Sequence, residues 1–251
     1  SRISLSNNDS GTSNTIFGYS AGASLDAGSN YNVFIGHGVS DAAMNNALGN
    51  TGVGYNAISS LTTADYNTAV GEGSLQILTT GTRNVAVGNY TLDAADGAES
   101  DNIAIGYAAM GAADGTNVVR NIAIGSYALD DAMTYGQEVA IGYGAMGTWT
   151  GAGIGNDAKG YNVAIGAGAL DGEQSGRYNV AIGADALGDQ NNTDNPDTYN
   201  IGIGQDAGRC ITTGTQNIFI GGLSGGTAAS TLTGAGNTCV GYNSGNDLTG
   251  A

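Results

Sequence analysis

The sequence predicts an all-β fold, a parallel β-solenoid (β-roll or β-helix) of about 13 coils, and three observations predict it. A frame N-x-x-x-G recurs from end to end, apolar residues alternate within it, and 45 of 251 residues are Gly against a single Pro. Self-similarity at a short, nearly fixed period is the mark of stacked coils, each too small to bury an apolar face alone.

The frame reads NTIFG at 14, NVFIG at 32, NTGVG at 50, NTAVG at 67, NVAVG at 84 and NIAIG at 102 and 121. It continues as EVAIG at 138, NVAIG at 162 and 179, NIGIG at 200, NIFIG at 217 and NTCVG at 237. Thirteen copies lie 17 to 24 residues apart with no linker or charge run between them. The expectation is a single solenoid domain over 14–251, with 1–13 a lead-in or fragment edge.

The Asn is taken as position zero. Positions one and three are apolar or Thr and share a face, the period-two pattern of a half-buried strand about five residues long. Position two faces the other way and is most often Ala (Ala69, Ala86, Ala104, Ala123, Ala140, Ala164 and Ala181), with Phe34 and Phe219 towards the ends. This small-residue row either admits a second chain closely or packs on the chain's own return segment.

Position four is Gly in every copy: Gly18, Gly36, Gly54, Gly71, Gly88, Gly106, Gly125, Gly142, Gly166, Gly183, Gly204, Gly221 and Gly241. Such constancy fits a sharp turn with positive φ or a close backbone approach. Position seven is small in twelve copies. Position eight is Leu or Met mid-chain but Gly at Gly22, Gly208, Gly225 and Gly245. A short second apolar segment and a polar return complete the coil.

Position zero is Asn at 14, 32, 50, 67, 84, 102, 121, 162, 179, 200, 217 and 237 (Asn14, Asn32, Asn50, Asn67, Asn84, Asn102, Asn121, Asn162, Asn179, Asn200, Asn217 and Asn237). Stacked amides donate to one rung and accept from the next, so a structural ladder is expected. Glu138 interrupts it, which calls for local repair or greater exposure.

Composition excludes several classes. The formal charge of −16, with six Lys and Arg in all, repels a nucleic-acid backbone. No apolar run of about 18 residues is present to insert into a membrane. Acidic returns (Asp65, Asp93, Asp96, Asp114, Asp130, Asp131, Asp171) are expected to be solvated. No cofactor is expected; calcium between such loops is a lesser expectation, since neither the G-G-x-G-x-D nonapeptide nor an EF-hand loop occurs. Cys210 and Cys239 fall two rungs apart, beyond disulfide reach. His37, the single His, replaces a Tyr at position five and reads as a surface ring. The chain starts at Ser1, which reads as a processed product or a piece of something longer.

For an enzyme, the one pair worth weighing is Asp185 and Asp206, at position six of successive rungs. Stacking would bring them about 5 Å apart, the separation of retaining glycosidases. Two solvent-facing acids on a polar ladder are the simpler reading, and no catalytic residue is assigned.

Thirteen Tyr against three Phe and one Trp favours amphipathic rings. Tyr31, Tyr66, Tyr161, Tyr178 and Tyr199 precede the Asn, and Tyr19, Tyr55, Tyr107, Tyr143 and Tyr242 follow the turn Gly. Such rows cap the edges of the roll, or stack on sugar faces. The longest return, 147–161, carries the only Trp and the only Lys, and 188–199 is the second excursion. Trp149, Lys159, Tyr161, Tyr178 and Tyr199 are therefore the candidate glycan contacts, on loops where insertions leave stacking undisturbed.

The phrases NIAIG at 102 and 121 and NVAIG at 162 and 179 resemble the head repeats of YadA-like trimeric autotransporter adhesins. Similar repeats occur in bacteriophage tail fibres, in the longer form seen at residues 50–75. The resemblance implies a left-handed parallel β-roll packed side by side as a homotrimer. The coils are longer than the usual adhesin head coil, and no heptad stalk or barrel-forming anchor is present, which favours a viral fibre over an outer-membrane adhesin.

The expectation is a non-enzymatic structural and adhesive fibre, a trimeric tail-fibre segment on a virion or another extracellular appendage. It would assemble with other fibre or virion proteins and reach towards a host-surface glycan. A bacterial adhesin head or secreted filament is the alternative. An ice-binding solenoid would need a regular Thr array, and Thr stands at position one in only four rungs. A carbohydrate-active β-helix enzyme is the remaining reading.

Overall fold

The computed structural model describes residues 11–115, 118–131, 136–149, 160–192, 197–226, 231–246 and 248. The chain is all-β, with no helix among these residues. Contacts divide it into two compact units, Ser1–Asn121 and Ile122–Ala251, each a parallel β-solenoid.

The first unit contains β1 (Thr15–Phe17), β2 (Val33–Ile35), β3 (Thr51–Val53), β4 (Thr68–Val70), β5 (Val85–Val87) and β6 (Ile103–Ile105). The second contains β7 (Ile122–Ile124), β8 (Val139–Ile141), β9 (Val163–Ile165), β10 (Val180–Ile182), β11 (Ile201–Ile203), β12 (Ile218–Ile220) and β13 (Thr238–Val240). Within each unit successive strands pair in parallel and in frame, so Ala69 lies beside Ala86 and Ala164 beside Ala181. One coil contributes one strand of three residues, shorter than the five the frame suggests. The expected second apolar segment is instead a turn, with left-handed backbone at positions six and eight: φ is +56° at Tyr90, +50° at Leu92, +54° at Asp185 and +51° at Leu187.

The alternation is real, but the small face is the buried one. Position two is fully buried from Phe34 through Phe219 wherever it carries a side chain, while positions one and three are half-buried to exposed. The Ala row therefore packs on its own turn and return, and cannot receive a second chain. Its partners are positions seven and eight together with return residues such as Leu61, Leu78, Val118 and Ile211.

Volume explains the choice. The coil is so flat that the space under a strand takes a methyl group plus one Leu or Met from position eight. Beside a Phe at position two, position eight of the same or the preceding coil is Gly. A Cβ on Gly22 would sit 3.3 Å from the Phe34 ring, and one on Gly208 or Gly225 would sit 2.8 or 2.7 Å from the Phe219 ring.

The turn glycines are required twice over. Gly166 has φ of +139°, and a Cβ there would lie 2.5 Å from the Gly183 carbonyl carbon on the next rung. The same approach repeats along each unit and ends at Gly241, where nothing stands within 4 Å.

The Asn residues form a buried ladder in each unit. The Asn67 Oδ1 accepts from the Asn84 backbone N–H at 2.9 Å and from Asn84 Nδ2 at 3.0 Å. Its Nδ2 donates to Asn50 Oδ1 at 3.1 Å and to the Gly81 carbonyl at 2.8 Å. All four amide valences are used with no water, which fixes Asn over Asp at this position. Asn67→Ala strips partners from several buried groups and is expected to cost on the order of 3 kcal/mol or more, read from the urea midpoint. Asn14→Ala, on the part-buried first rung, is expected to cost less.

Candidate functional site

Glu138 occupies the ladder position in the second unit and is fully buried. Its Oε2 accepts from the Asn162 backbone N–H at 2.8 Å. Local repair, not greater exposure, is what the chain uses. Burial pushes the carboxyl up to about 8, against weaker opposing hydrogen bonds from Asn162 and the Gly160 backbone. A protonated carboxyl keeps an acceptor oxygen and one O–H donor, so it can continue the ladder with one donor fewer than an amide brings. Gly160 makes room: a Cβ there would strike the Glu138 carboxyl and lie 2.7 Å from the Trp149 ring.

That position corrects one expectation. Trp149 is completely buried and is the largest side chain in the core, so it cannot meet a glycan. Its Nε1 has no hydrogen-bond partner among the described residues. Lys159 lies outside the described residues.

The tyrosines form files with rung spacing. Tyr161, Tyr178 and Tyr199 stack at 5.5 and 5.0 Å between centroids with planes 9° and 8° apart. Each has left-handed backbone, φ +50° to +63°, which swings the ring outwards. Both faces of Tyr178 are thereby covered, and the Arg177 guanidinium lies 5.6 Å from its ring centroid. Little free face is left for a sugar in the middle of this file, as expected of rings that cap an edge.

In the first unit Tyr19, His37 and Tyr55 stack at 5.1 and 5.3 Å. His37 is a surface ring, as its position implies. The file stops at β4, whose coil carries Glu72 in place of a ring. Gly73, at position six of the same coil, adds no side chain, and Tyr90 closes the far side. A cavity of about 190 Å³ results, lined by Tyr55, Asn56, Glu72, Gly73, Gln76 and Tyr90. The Tyr90 hydroxyl donates to Glu72 Oε1 at 2.8 Å, which pushes the phenol's pKa up.

The paired acids are not a bare dyad. Arg209 Nη1 sits 3.0 Å from Asp206 Oδ1 and 4.0 Å from Asp185 Oδ2, and its Nε 3.8 Å from Asp189. The guanidinium joins the carboxylates into an ion-paired surface cluster, in contrast to the solvated acids expected from stacking alone.

Comparison with protein-family models, curated proteins and solved structures finds no match.

Other acids serve the fold. Glu173 is buried beneath the returns and accepts from the backbone N–H groups of Gln174, Ser175, Gly176 and Asn192 and from the side chains of Gln190 and Asn192. Asp93 and Asp171, expected to be solvated, are partly buried, and desolvation raises both. Among the described residues no three His, Cys, Asp or Glu side chains gather around a metal-sized space. Cys210 is buried and Cys239 half-buried, and neither is in a disulfide. No helix among the described residues is long and apolar enough to cross a membrane.

The sequence does not single out the residues around the Tyr55 cavity. The available signal is negative: a missing ring at position five beside a missing side chain at position six.

Proposed function

We propose that the chain is the repeat region of a non-enzymatic fibre, three copies packed side by side, that projects from a virion tail or comparable extracellular appendage towards a host surface. The observation that carries this reading is the outer face of the strands. Positions one and three are Val, Ile, Thr or Phe in every rung with no charge among them, although the chain carries 22 acidic residues. Ile105, Ile165 and Ile220 each remain 37% exposed.

A contiguous apolar face of this kind marks an interaction surface. Its rows repeat at the rung spacing of the solenoid, and another copy of the chain offers rows of the same period, so the occupant that matches it without mismatch is the chain itself. The number three comes from the resemblance to adhesin-head and tail-fibre repeats. Burying the face also offsets the cost of ordering a chain so rich in Gly.

Light scattering on the purified chain is expected to give a mass near three times 24.8 kDa. Ile165→Asp with Ile182→Asp places carboxylates on that face and is expected to return the mass to that of one chain. A wild-type monomer, or a complex indifferent to the double substitution, would overturn the proposal.

A further inference from the structure

We propose that the groove between Tyr55 and Tyr90 binds a single pyranose ring, neutral or bearing an amine. The argument begins with the interrupted file. Tyr19, His37 and Tyr55 place one ring per rung about 5 Å apart, and the next rung offers Glu72 and bare Gly73 instead. Tyr55 is 53% exposed and its outer face looks onto the space where the next ring of the file would lie. A ligand ring entering there continues the stack.

The far wall is Tyr90. A Cβ on Gly73 would meet its ring at 3.0 Å, so the phenol packs directly on the Gly73 backbone and is held by its hydroxyl on Glu72. The space of about 190 Å³ is below the ~300–1,000 Å³ usual for drug-sized ligands, which limits the occupant to about one small ring.

The lining chemistry selects the ring. Tyr55 and Tyr90 present apolar surfaces suited to the C–H face of a sugar. Asn56 and Gln76 bring amides that donate and accept, and Glu72 keeps an oxygen beyond the one engaged by Tyr90, so hydroxyls on the ring edge find partners of both kinds. No cation lines the groove, and Glu72 and the net charge of −16 oppose uronic, sialic or phosphorylated sugars. An amino sugar gains from the same carboxylate.

This deepens the surface-contact part of the fibre reading, and the two fail separately: solution mass reports assembly, while sugar binding reports the groove. Saturation-transfer NMR on the full chain, with methyl glycosides of glucose, galactose, mannose, glucosamine and N-acetylglucosamine, is the test, with glucuronic and sialic acids and tetramethylammonium as controls. At least one neutral or amino glycoside is expected to give signal, and the two acids none.

Tyr55→Ala is expected to weaken binding at least tenfold. Gly73→Asn is the second variant: position six already holds Asn56 and Asn243 with φ of +52° and +55°, so Asn suits the backbone, and its side chain fills the groove and presses on the Tyr90 wall. Loss of signal in Gly73→Asn with an unchanged melting temperature supports the site. Absence of any sugar signal, binding of tetramethylammonium alone, or undiminished binding by Gly73→Asn would overturn it.

Discussion

The wild-type chain is expected to melt at a lower temperature at pH 8.5 than at pH 5.5, and Glu138→Gln to remove most of that difference. Glu138 is fully buried, with a folded pKa of about 8 against an ordinary 4.5. At pH values below both, folded and unfolded chains hold the proton and the stability is complete. As pH rises through the interval between the two values, the unfolded chain releases its proton first, so stability falls until the folded carboxyl also ionises. At about 1.36 kcal/mol for each pH unit of that interval, the full effect is several kcal/mol, a large fraction of a domain's stability. Asp93, Glu99 and Asp171 are also raised by burial and add a same-signed trend at lower pH. The quantity to read is therefore the difference between wild type and Glu138→Gln; parallel pH curves for the two would show that this carboxyl does not control the trend.

Gly166→Ala is expected to prevent folding of its unit or to destabilise it severely, whereas Gly241→Ala should leave a folded chain. Both glycines have φ that disfavours a side chain, +139° and +123°. That conformational cost is ~1–3 kcal/mol and is common to the two. Only Gly166 also carries the carbonyl of the next rung against the site of the new methyl group. Paired denaturation curves separate the two contributions, and equal losses at the two sites would mean that inter-rung approach contributes nothing.

How far the sequence could be read follows from which constraints leave a residue-type signature. The frame, the strand positions and the parallel order were legible because stacking demands the same residue at the same place in every coil. Period-two alternation reveals two faces but not which is buried, and the usual guide, that the larger side chains go inside, fails here. The inner space beneath a strand admits Ala because Leu or Met from position eight fills the rest, so Ile105 and Ile165 stay outside. The left-handed residues were hidden because Leu75, Leu92 and Met110 are poor candidates for positive φ. A cue was present in the exchange of those residues with Gly22, Gly208 and Gly225 at the same position.

The candidate site was less legible still. A long return suggests an exposed Trp149, yet its ring lies in the core beside Gly160. The groove at Tyr55 depends on what one coil lacks at two adjacent positions, and such an absence in a degenerate repeat has no local sequence pattern.

The exchange of volume between positions two and eight bears on how a chain of near-copies finds its folding register. Coils that are interchangeable can pair with the wrong neighbour, skipping one, at little energetic penalty. Phe34 needs an empty position eight beside it, which Gly22 supplies, and Phe219 needs Gly208 and Gly225. Moved onto a coil whose neighbour carries Leu92 or Leu170, either ring would overlap a side chain already filling the space, an overpacking worth about 1–3 kcal/mol. Each unit thus contains a phenylalanine that fits only beside a glycine at position eight, and the order of the array is indexed from within its own core.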